Sequence, residues 1–365
     1  GSMLMGLFYA AYGLANMLLT PIAERFGPRR CLLLIVCLWS IFTALGAWLS
    51  QWIALLLATR VLLGLSEGVH VPMMTLTVKR WFPPRERARA NSVIMAGIFL
   101  SLLSAPAIMV PLMAAQGWRQ GFVLLAAAGL LLSLPLVFFF IYDTPQGHPR
   151  IAAEEKNWIE RSLATEREAE QHFEENRWWQ WALSPNFLLI TLIGIINGLV
   201  TLGVSGWLPT YFSRRWDVAY EDLSWVLTAP YALHLAGLAL WAWLGDRFNL
   251  RAGLASFGFL MAGLMLFLAF SATSLEAALV FFCAGVFAIA SYSACEFALA
   301  QRVLPVAVFA TCFGIFNGVS TLIGGGLGPA LVAPLIADGS GAGVLATATS
   351  ANAVLLWWVS RRLRY

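Results

Sequence analysis

The chain has 365 residues, of which 60% are hydrophobic and only 12% are charged, with a formal net charge of +4. Soluble domains carry about a quarter of their residues as charged types and cannot bury so much apolar surface in one core. The composition therefore excludes an ordinary soluble domain. It predicts an all-α polytopic membrane protein that contacts a lipid bilayer and has no nucleic-acid partner.

Membrane spans are predicted wherever about 20 consecutive residues are predominantly apolar, because that length crosses the hydrocarbon layer. In chain order these segments are 4–20, 31–50, 54–78, 91–114, 119–141, 186–208, 222–244, 252–271, 275–300, 307–336 and 343–360. The sequence thus predicts eleven spans. The polar, acidic stretch 142–184 separates the fifth span from the sixth, and it is predicted to be a linker with a surface helix.

The orientation of the spans is predicted from the lysines and arginines of the short loops, fourteen on one side of the membrane against three on the other. Positive residues concentrate on the cytoplasmic side of membrane proteins. The linker 142–184 and the C-terminus are therefore predicted to be cytoplasmic, in a multi-pass protein of the cell inner (plasma) membrane.

An internal repeat divides the chain into two halves. "AERFGPRR" (23–30) follows one span and precedes another, and "GDRFNLRAG" (245–253) does the same 222 residues later. Parallel repeats of this kind are a known transporter architecture. We predict two pseudo-symmetric helical bundles, 1–141 and 185–365, joined by the linker. In the second half, two spans, 186–208 and 222–244, precede the repeated loop, whereas in the first half only the span 4–20 does. We therefore expect the first of twelve helices to be missing.

The charged residues of this repeated loop predict a conformational latch. A carboxylate at a helix end can pair with arginines and with the N-terminus of a neighbouring helix. The alternative is that the positive residues only fix the orientation in the membrane. The latch candidates are Glu24, Arg25, Arg29, Arg30, Asp246 and Arg247.

Several of these motifs resemble a known family. The "ERFGPRR" loop and the "RVLLG" pattern, with Arg60 and Gly64, resemble the major facilitator superfamily. More narrowly, "RVLLGLSEGVHVP", "KRWFPPRERARAN", "GWLPTYFS" (206–213) and "GIFNGVSTLIGGGLGP" (314–329) resemble its anion:cation symporters. The resemblance implies two rocking bundles with a midplane site, and symport of a small organic anion, such as a sugar acid or carboxylate, with protons.

Three ionisable residues, Arg60, Glu67 and His70, interrupt the otherwise apolar span 54–78. On a continuous helix, seven residues at 100° each place Glu67 within about 20° of Arg60, and His70 lies about 60° further round. A charge at the bilayer centre costs roughly 2.5–3.5 kcal/mol. We therefore expect this shared stripe to face protein or a water-filled cavity.

Each residue of the stripe has a predicted role. Arg60 would stay protonated and bind a carboxylate or phosphate with two hydrogen bonds, while Glu67 would alternate between its protonated and charged forms. The alternative is a buried Arg60–Glu67 pair that only stabilises helix packing. His70 would be a proton relay or a polar wall residue, or alternatively a hydrogen-bonded polar side chain without a role in transport. Its single E-x-x-H pair predicts no metal site. Gly64 and Gly68, in GxxxG spacing, are expected to let another helix pack closely.

Other polar residues within the apolar segments are further candidates. Glu296, in "SYSACEFALA", is predicted to be a second proton or cation site, or alternatively an acid near the interface that Arg302 or solvent neutralises. The additional candidates for substrate contacts are His234, Asn317, Tyr211 and Tyr231. The sequence predicts no cofactor.

Other functions remain open at this point. The same fold could export or carry larger amphipathic or metal-chelating solutes, with His70 and the tryptophans serving the cargo. The missing helix would also fit a transport-inactive membrane protein that acts as a sensor or assembly partner. An enzyme is not predicted, because no HExxH, Ser/His/Asp set or carboxylate dyad occurs at usable spacing. We expect a monomer.

Overall fold

The computed structural model describes residues 2–170, 178–218, 223–328, 330–332 and 341–362, which are almost entirely helical and contain no β-strand. The helices are α1 (Ser2–Phe26), α2 (Pro28–Trp48), α3 (Ile53–Glu67), α4 (His70–Trp81), α5 (Arg87–Gln116), α6 (Trp118–Ala128), α7 (Leu134–Phe140), α8 (Ala153–Glu170), α9 (Trp178–Ala182), α10 (Pro185–Trp216), α11 (Leu223–Phe248), α12 (Arg251–Ser271), α13 (Leu275–Val303), α14 (Phe309–Thr321) and α15 (Gly341–Arg362). A π-helical turn, Gly129–Ser133, joins α6 to α7, and another, Leu322–Leu327, continues α14.

Ten helical segments of the described chain are long and apolar enough to cross a membrane. They correspond to ten of the eleven predicted spans, so the prediction of an all-α polytopic protein is confirmed. The remaining span, 222–244, is helical as α11 but is not among the ten.

Residues with positive φ end several of the helices. Gly27, at φ 84°, lies between α1 and α2, and Gly117, at φ 83°, lies between α5 and α6. Glycine adopts these angles without the penalty that a Cβ would bring. Asn249, at φ 53°, takes the equivalent place between α11 and α12, since asparagine is one of the few other residues that tolerate this conformation.

The span that carries the ionisable stripe is not one continuous helix. Helix α3 ends at Glu67 and α4 begins at His70, with a two-residue turn between them. Pro72 explains the interruption, because it has no N–H to bond the carbonyl of Gly68 and its ring clashes with that carbonyl. Both turn residues keep right-handed helical backbone angles, with Gly68 at φ −55° and ψ −30° and Val69 at φ −84° and ψ −9°, so the shared stripe stays a prediction.

The helices form two compact units. The first unit contains α1–α4, the end of α5 from residue 107, α6–α9 and residues 304–322 with α14. The second contains the start of α5 to residue 106, α10–α13 and the chain from residue 323, including α15. These units group the helices by packing. The sequence-based division at 141 and 185 concerns the repeat, and it stays a prediction.

Candidate functional site

The Glu67 side chain lies at the contact between α3 and α1. It interacts electrostatically with Tyr9 and Tyr12 of α1. The two helices approach closely because Gly64 and Gly68 lack side chains: a Cβ on either glycine would lie 2.5 Å from an α1 carbonyl oxygen. The GxxxG surface thus packs against another helix, as predicted, and it brings two tyrosines to the carboxylate.

Arg60 extends towards two other helices of the same unit. Its guanidinium carbon lies 5.0 Å from the centre of the Phe122 ring in α6. A Cβ on Gly46 of α2 would lie 2.9 Å from an Arg60 terminal nitrogen, so this glycine makes room for the guanidinium. Arg60 and Glu67 interact electrostatically, but within the described chain they form no direct ion pair. Both side chains are half-buried.

His70, at the start of α4, packs beside an aromatic ring. The imidazole centre lies 5.6 Å from that of Trp39 in α2, with the rings inclined by 52°. Since Arg60 also contacts α2, His70 and Arg60 share this helix as a neighbour, while Glu67 faces α1. The predicted stripe is therefore brought into one unit, but its members have different immediate surroundings.

A hydrogen-bonded group of polar side chains joins α1 to α14. The Nδ2 of Asn317 donates to the Oδ1 of Asn16 over 2.9 Å, and both amides bond the Tyr12 side chain. The helices are close enough because glycines face each other: a Cβ on Gly13 would lie 2.9 Å from the Gly318 carbonyl oxygen. Asn317 was a sequence candidate, whereas Asn16 and Tyr12 were not. Their signal was their polarity in an apolar helix.

In the second unit, His234 and Tyr231 of α11 surround one aromatic ring. The His234 imidazole stacks on Phe99 of α5 with ring centres 3.8 Å apart and an inclination of 27°, and Tyr231 lies 6.4 Å from the same ring. His234 is only 3% exposed, and its Nε2 has no hydrogen-bond partner within the described chain. Phe99 was not a sequence candidate, because phenylalanine is common on lipid-facing helix surfaces.

Tyr211 and Glu296 lie in different surroundings within this unit. Tyr211 packs on Phe270 with ring centres 4.9 Å apart and borders a cluster of buried apolar residues. Glu296 is hydrogen-bonded to the Tyr292 hydroxyl one helical turn earlier on α13. The Tyr292 ring packs on Phe259 of α12, so the Glu296 carboxylate has a fixed partner on its own helix.

The first acidic latch candidate, Glu24, binds the beginning of α14. Its carboxylate accepts hydrogen bonds from the backbone N–H groups of Ala310 and Thr311 and from the Thr311 side chain. Arg80 provides a positive charge nearby. The first N–H groups of a helix have no partner within the helix and carry the positive end of its dipole. The carboxylate therefore caps α14.

The second copy repeats this arrangement within the second unit. Asp246, with its side chain 3% exposed, accepts the backbone N–H of Arg89, in the first turn of α5, at 3.0 Å. The Nε of Arg89 donates to the same oxygen at 3.0 Å, and the Nη2 of Arg251 donates to the other oxygen at 2.7 Å. The repeated acid thus caps a helix in both units.

The basic residues predicted for the latch are mostly not the ones that the acids bind. Arg25, Arg30 and Arg247 are exposed. Arg29 instead donates to the Phe138 carbonyl over 2.7 Å and stacks on Tyr142 at 4.6 Å. Among described residues, the arginines near the acids are Arg80, Arg89 and Arg251, which sequence reasoning did not select for this role.

Comparison with known proteins places the chain among transporters. Residues 1–329 match the sequence model of the Major Facilitator Superfamily. A probable sulfoacetate transporter of Cupriavidus necator is 27% identical over 253 residues, covering 68% of this chain and 57% of the relative. A probable chloroplastic anion transporter 3 of Arabidopsis thaliana is 28% identical over 328 residues, covering 86% and 63%. A putative tartrate transporter of Agrobacterium vitis is 26% identical over 282 residues, covering 75% and 64%.

The chain therefore spans 57–64% of the length of these three curated relatives. Solved structures cover it more fully. A proton:xylose symporter matches with a TM-score of 0.80 at 17% identity, covering 98% of this chain and 84% of that one. The human organic anion transporter MFSD10 matches with a TM-score of 0.74 at 16% identity, covering 99% and 83%. At such identities the likeness establishes the fold alone.

Proposed function

The chain belongs to the Major Facilitator Superfamily and is thus a transporter rather than an enzyme, and on that premise we propose that it carries a small organic anion together with protons. The transport would proceed by alternating access, the rocking of two helix bundles about a site near the bilayer midplane. A sugar acid or a carboxylate is the proposed substrate. The names of the relatives support an anion, since sulfoacetate and tartrate are both small and negatively charged.

The observation that carries the proposal is the surroundings of Glu67. This carboxylate, at the last residue of α3, interacts electrostatically with Tyr9 and Tyr12 of α1 and with Arg60 of its own helix. Placing an acidic side chain inside the membrane costs free energy, and such residues generally mark functional sites. A carboxylate that is not tied into a direct ion pair is free to gain and lose a proton as water access changes.

Arg60 is the proposed anchor for the substrate anion. Its guanidinium rests on the Phe122 ring, and such stacking leaves the in-plane N–H groups available to a carboxylate. A half-buried cation without a direct ion pair needs a compensating charge, and an anionic substrate supplies one. We propose His70, His234, Asn317, Tyr211 and Tyr231 as further substrate contacts and Glu296 as a second proton site.

The two helix caps are proposed as the conformational latch. A carboxylate bound to the N-terminus of a neighbouring helix holds the two helix ends together, and its hydrogen bonds break when the helices separate. Glu24 and Asp246 have equivalent contacts in the two repeats, which supports a common role. The linker and the C-terminus would lie in the cytoplasm, and the protein would act as a monomer in the inner membrane.

Uptake into proteoliposomes tests this function. We expect accumulation of one or more members of a panel of sugar acids, dicarboxylates and sulfonates when the outside is more acidic than the inside. Arg60→Gln should abolish uptake, whereas Arg150→Gln, the same change at an exposed arginine of the linker, should leave it unchanged. Uptake that is indifferent to the pH gradient would contradict proton coupling, and uptake only of neutral or bulky solutes would contradict the anion.

A further inference from the structure

A cavity of about 620 Å³ lies beside the Glu24 cap in the first unit. Its walls come from the last turns of α1, the first turns of α14 and the linker helix α9. The lining residues are Met17, Leu18, Pro21, Glu24, Arg25, Trp178, Ala307, Thr311 and Ile315. Glu24 and its hydrogen-bond partner Thr311 both line this space, so whatever occupies or covers the cavity controls the access of water to the cap.

The linker contributes one residue to this cavity, the tryptophan that begins α9. Besides lining the cavity, Trp178 accepts a hydrogen bond at its backbone oxygen from the thiol of Cys312 in α14, with a sulfur–oxygen distance of 3.6 Å. The linker segment is thus fixed to α14 one residue beyond Thr311. The next tryptophan, Trp179, is equally exposed, at 46% against 44%, but does not line the cavity.

An indole beside a carboxylate–helix contact strengthens that contact by excluding water. Hydrogen bonds between a charged acceptor and N–H donors are about twice as strong as neutral ones, and they are stronger where the local dielectric is low. The apolar residues Met17, Leu18 and Ile315 already form much of the wall. Trp178 adds a large apolar surface on the side from which the polar linker arrives.

We propose that Trp178 is a positioning residue of the latch. It shields the Glu24–α14 contact from water and thereby couples the position of the linker to the separation of α14 from α1. Its effect on transport rests on the proposed function, but its effect on α14 does not. Loss of the indole admits water to the cap and favours the separation of α14 from α1. We therefore expect the loss of the indole to change the transport rate.

Cys312 is a native reporter of this separation. It is fully buried, and it lies in the first turn of α14 beside the capped residues. In the full chain with Cys31, Cys37, Cys283 and Cys295 replaced by alanine, the rate of Cys312 labelling by a maleimide measures how often this turn opens. The measurement needs no substrate and can be made in liposomes at a fixed pH.

Trp178→Ala should raise the labelling rate of Cys312 by roughly fivefold, a modest shift of the opening equilibrium. Trp179→Ala is the matched control and should leave the rate unchanged, and Trp178→Phe should restore most of the protection. Glu24→Gln should raise the rate as well, because it weakens the cap itself.

The proposal is overturned if Trp178→Ala labels no faster than Trp179→Ala, or if Glu24→Gln raises the rate while Trp178→Ala does not. A failure of phenylalanine to restore protection also contradicts shielding by an aromatic ring. If no anion is transported by any variant but the labelling pattern is as expected, the proposed function fails and the role of Trp178 stands.

Discussion

The Asn317 amide donates a hydrogen bond to Asn16, a residue 301 positions earlier in the chain, and thereby joins α14 to α1 inside the apolar interior. Asparagine side chains in this position are costly unless paired, since no water is available to replace the partner. The pair and the Tyr12 hydroxyl satisfy one another. The contact therefore specifies which face of α14 meets α1.

Replacing Asn317 by leucine should destabilise the protein by about 1 kcal/mol, the usual value of an interhelical hydrogen bond in a membrane. The cause is the Asn16 amide, which keeps its burial and loses its partner. The double variant Asn16→Leu/Asn317→Leu should be less destabilised than the sum of the two single variants, because it leaves no unpaired amide. Thermal unfolding in detergent measures all three, and strict additivity would show that the two amides do not depend on each other.

Asp246→Asn should be among the most destabilising single changes, at about 3–5 kcal/mol, because it leaves the Arg251 guanidinium buried without its counter-charge. Arg251 and the Asp246 side chain are each only 3% exposed. Arg247→Gln changes the neighbouring exposed arginine and should stay within about 0.5 kcal/mol. The free energy of unfolding of the two variants measures this difference. Equal losses for Asp246→Asn and Arg247→Gln would mean that the buried pair does not stabilise the fold.

Gly64→Ala tests the close approach of α3 and α1. The added methyl would lie 2.5 Å from the Phe8 carbonyl oxygen and 3.0 Å from the Ala11 side chain, so the helices must move apart, at a cost of about 1–3 kcal/mol. Gly97→Ala is the control, because a Cβ there meets nothing within 4 Å. Alanine also favours a helix over glycine. Thermal unfolding should show a loss for the first change and none for the second, and a tolerated Gly64→Ala would contradict the packing.

His234→Phe separates a binding role from a packing role. Phenylalanine keeps the stacking on Phe99 and removes the unpaired Nε2, but it also loses the hydrogen bond of the imidazole to the Val286 backbone, so stability should change by no more than about 1 kcal/mol. If the imidazole contacts the substrate, the KM for uptake should rise at least tenfold in the same variant. Wild-type transport kinetics in a fully stable His234→Phe protein would assign the histidine to packing alone.

The helical segments could be predicted from the sequence because each follows from local composition. The GxxxG surface of Gly64 and Gly68 was also predictable, since small residues at this spacing permit close approach whatever the partner. The helix break was not predicted, although Pro72 carried the signal: it removes a hydrogen bond four residues earlier. The two residues of the break keep right-handed helical angles.

Partners from distant parts of the chain could not be predicted. Arg89 and Asp246 are 157 positions apart, and no periodicity indicates that one starts the helix that the other caps. The aromatic neighbours of the polar residues are Phe99, Phe122 and Trp39. In the sequence, these residues cannot be distinguished from aromatic residues that face the lipid. Only the packing of the helices shows which aromatic rings contact a histidine or an arginine.

The central claim is that Glu67 carries the proton that drives anion uptake. Glu67→Gln cannot release a proton, so it should abolish accumulation driven by a pH gradient while anion exchange across the same proteoliposomes continues. Glu276→Gln, the same change at an exposed glutamate at the start of α13, should retain both activities. The direct measurement is gradient-driven uptake compared with exchange in the two variants. Loss of the first alone in Glu67→Gln is the predicted result, and undiminished gradient-driven uptake by Glu67→Gln would contradict the account.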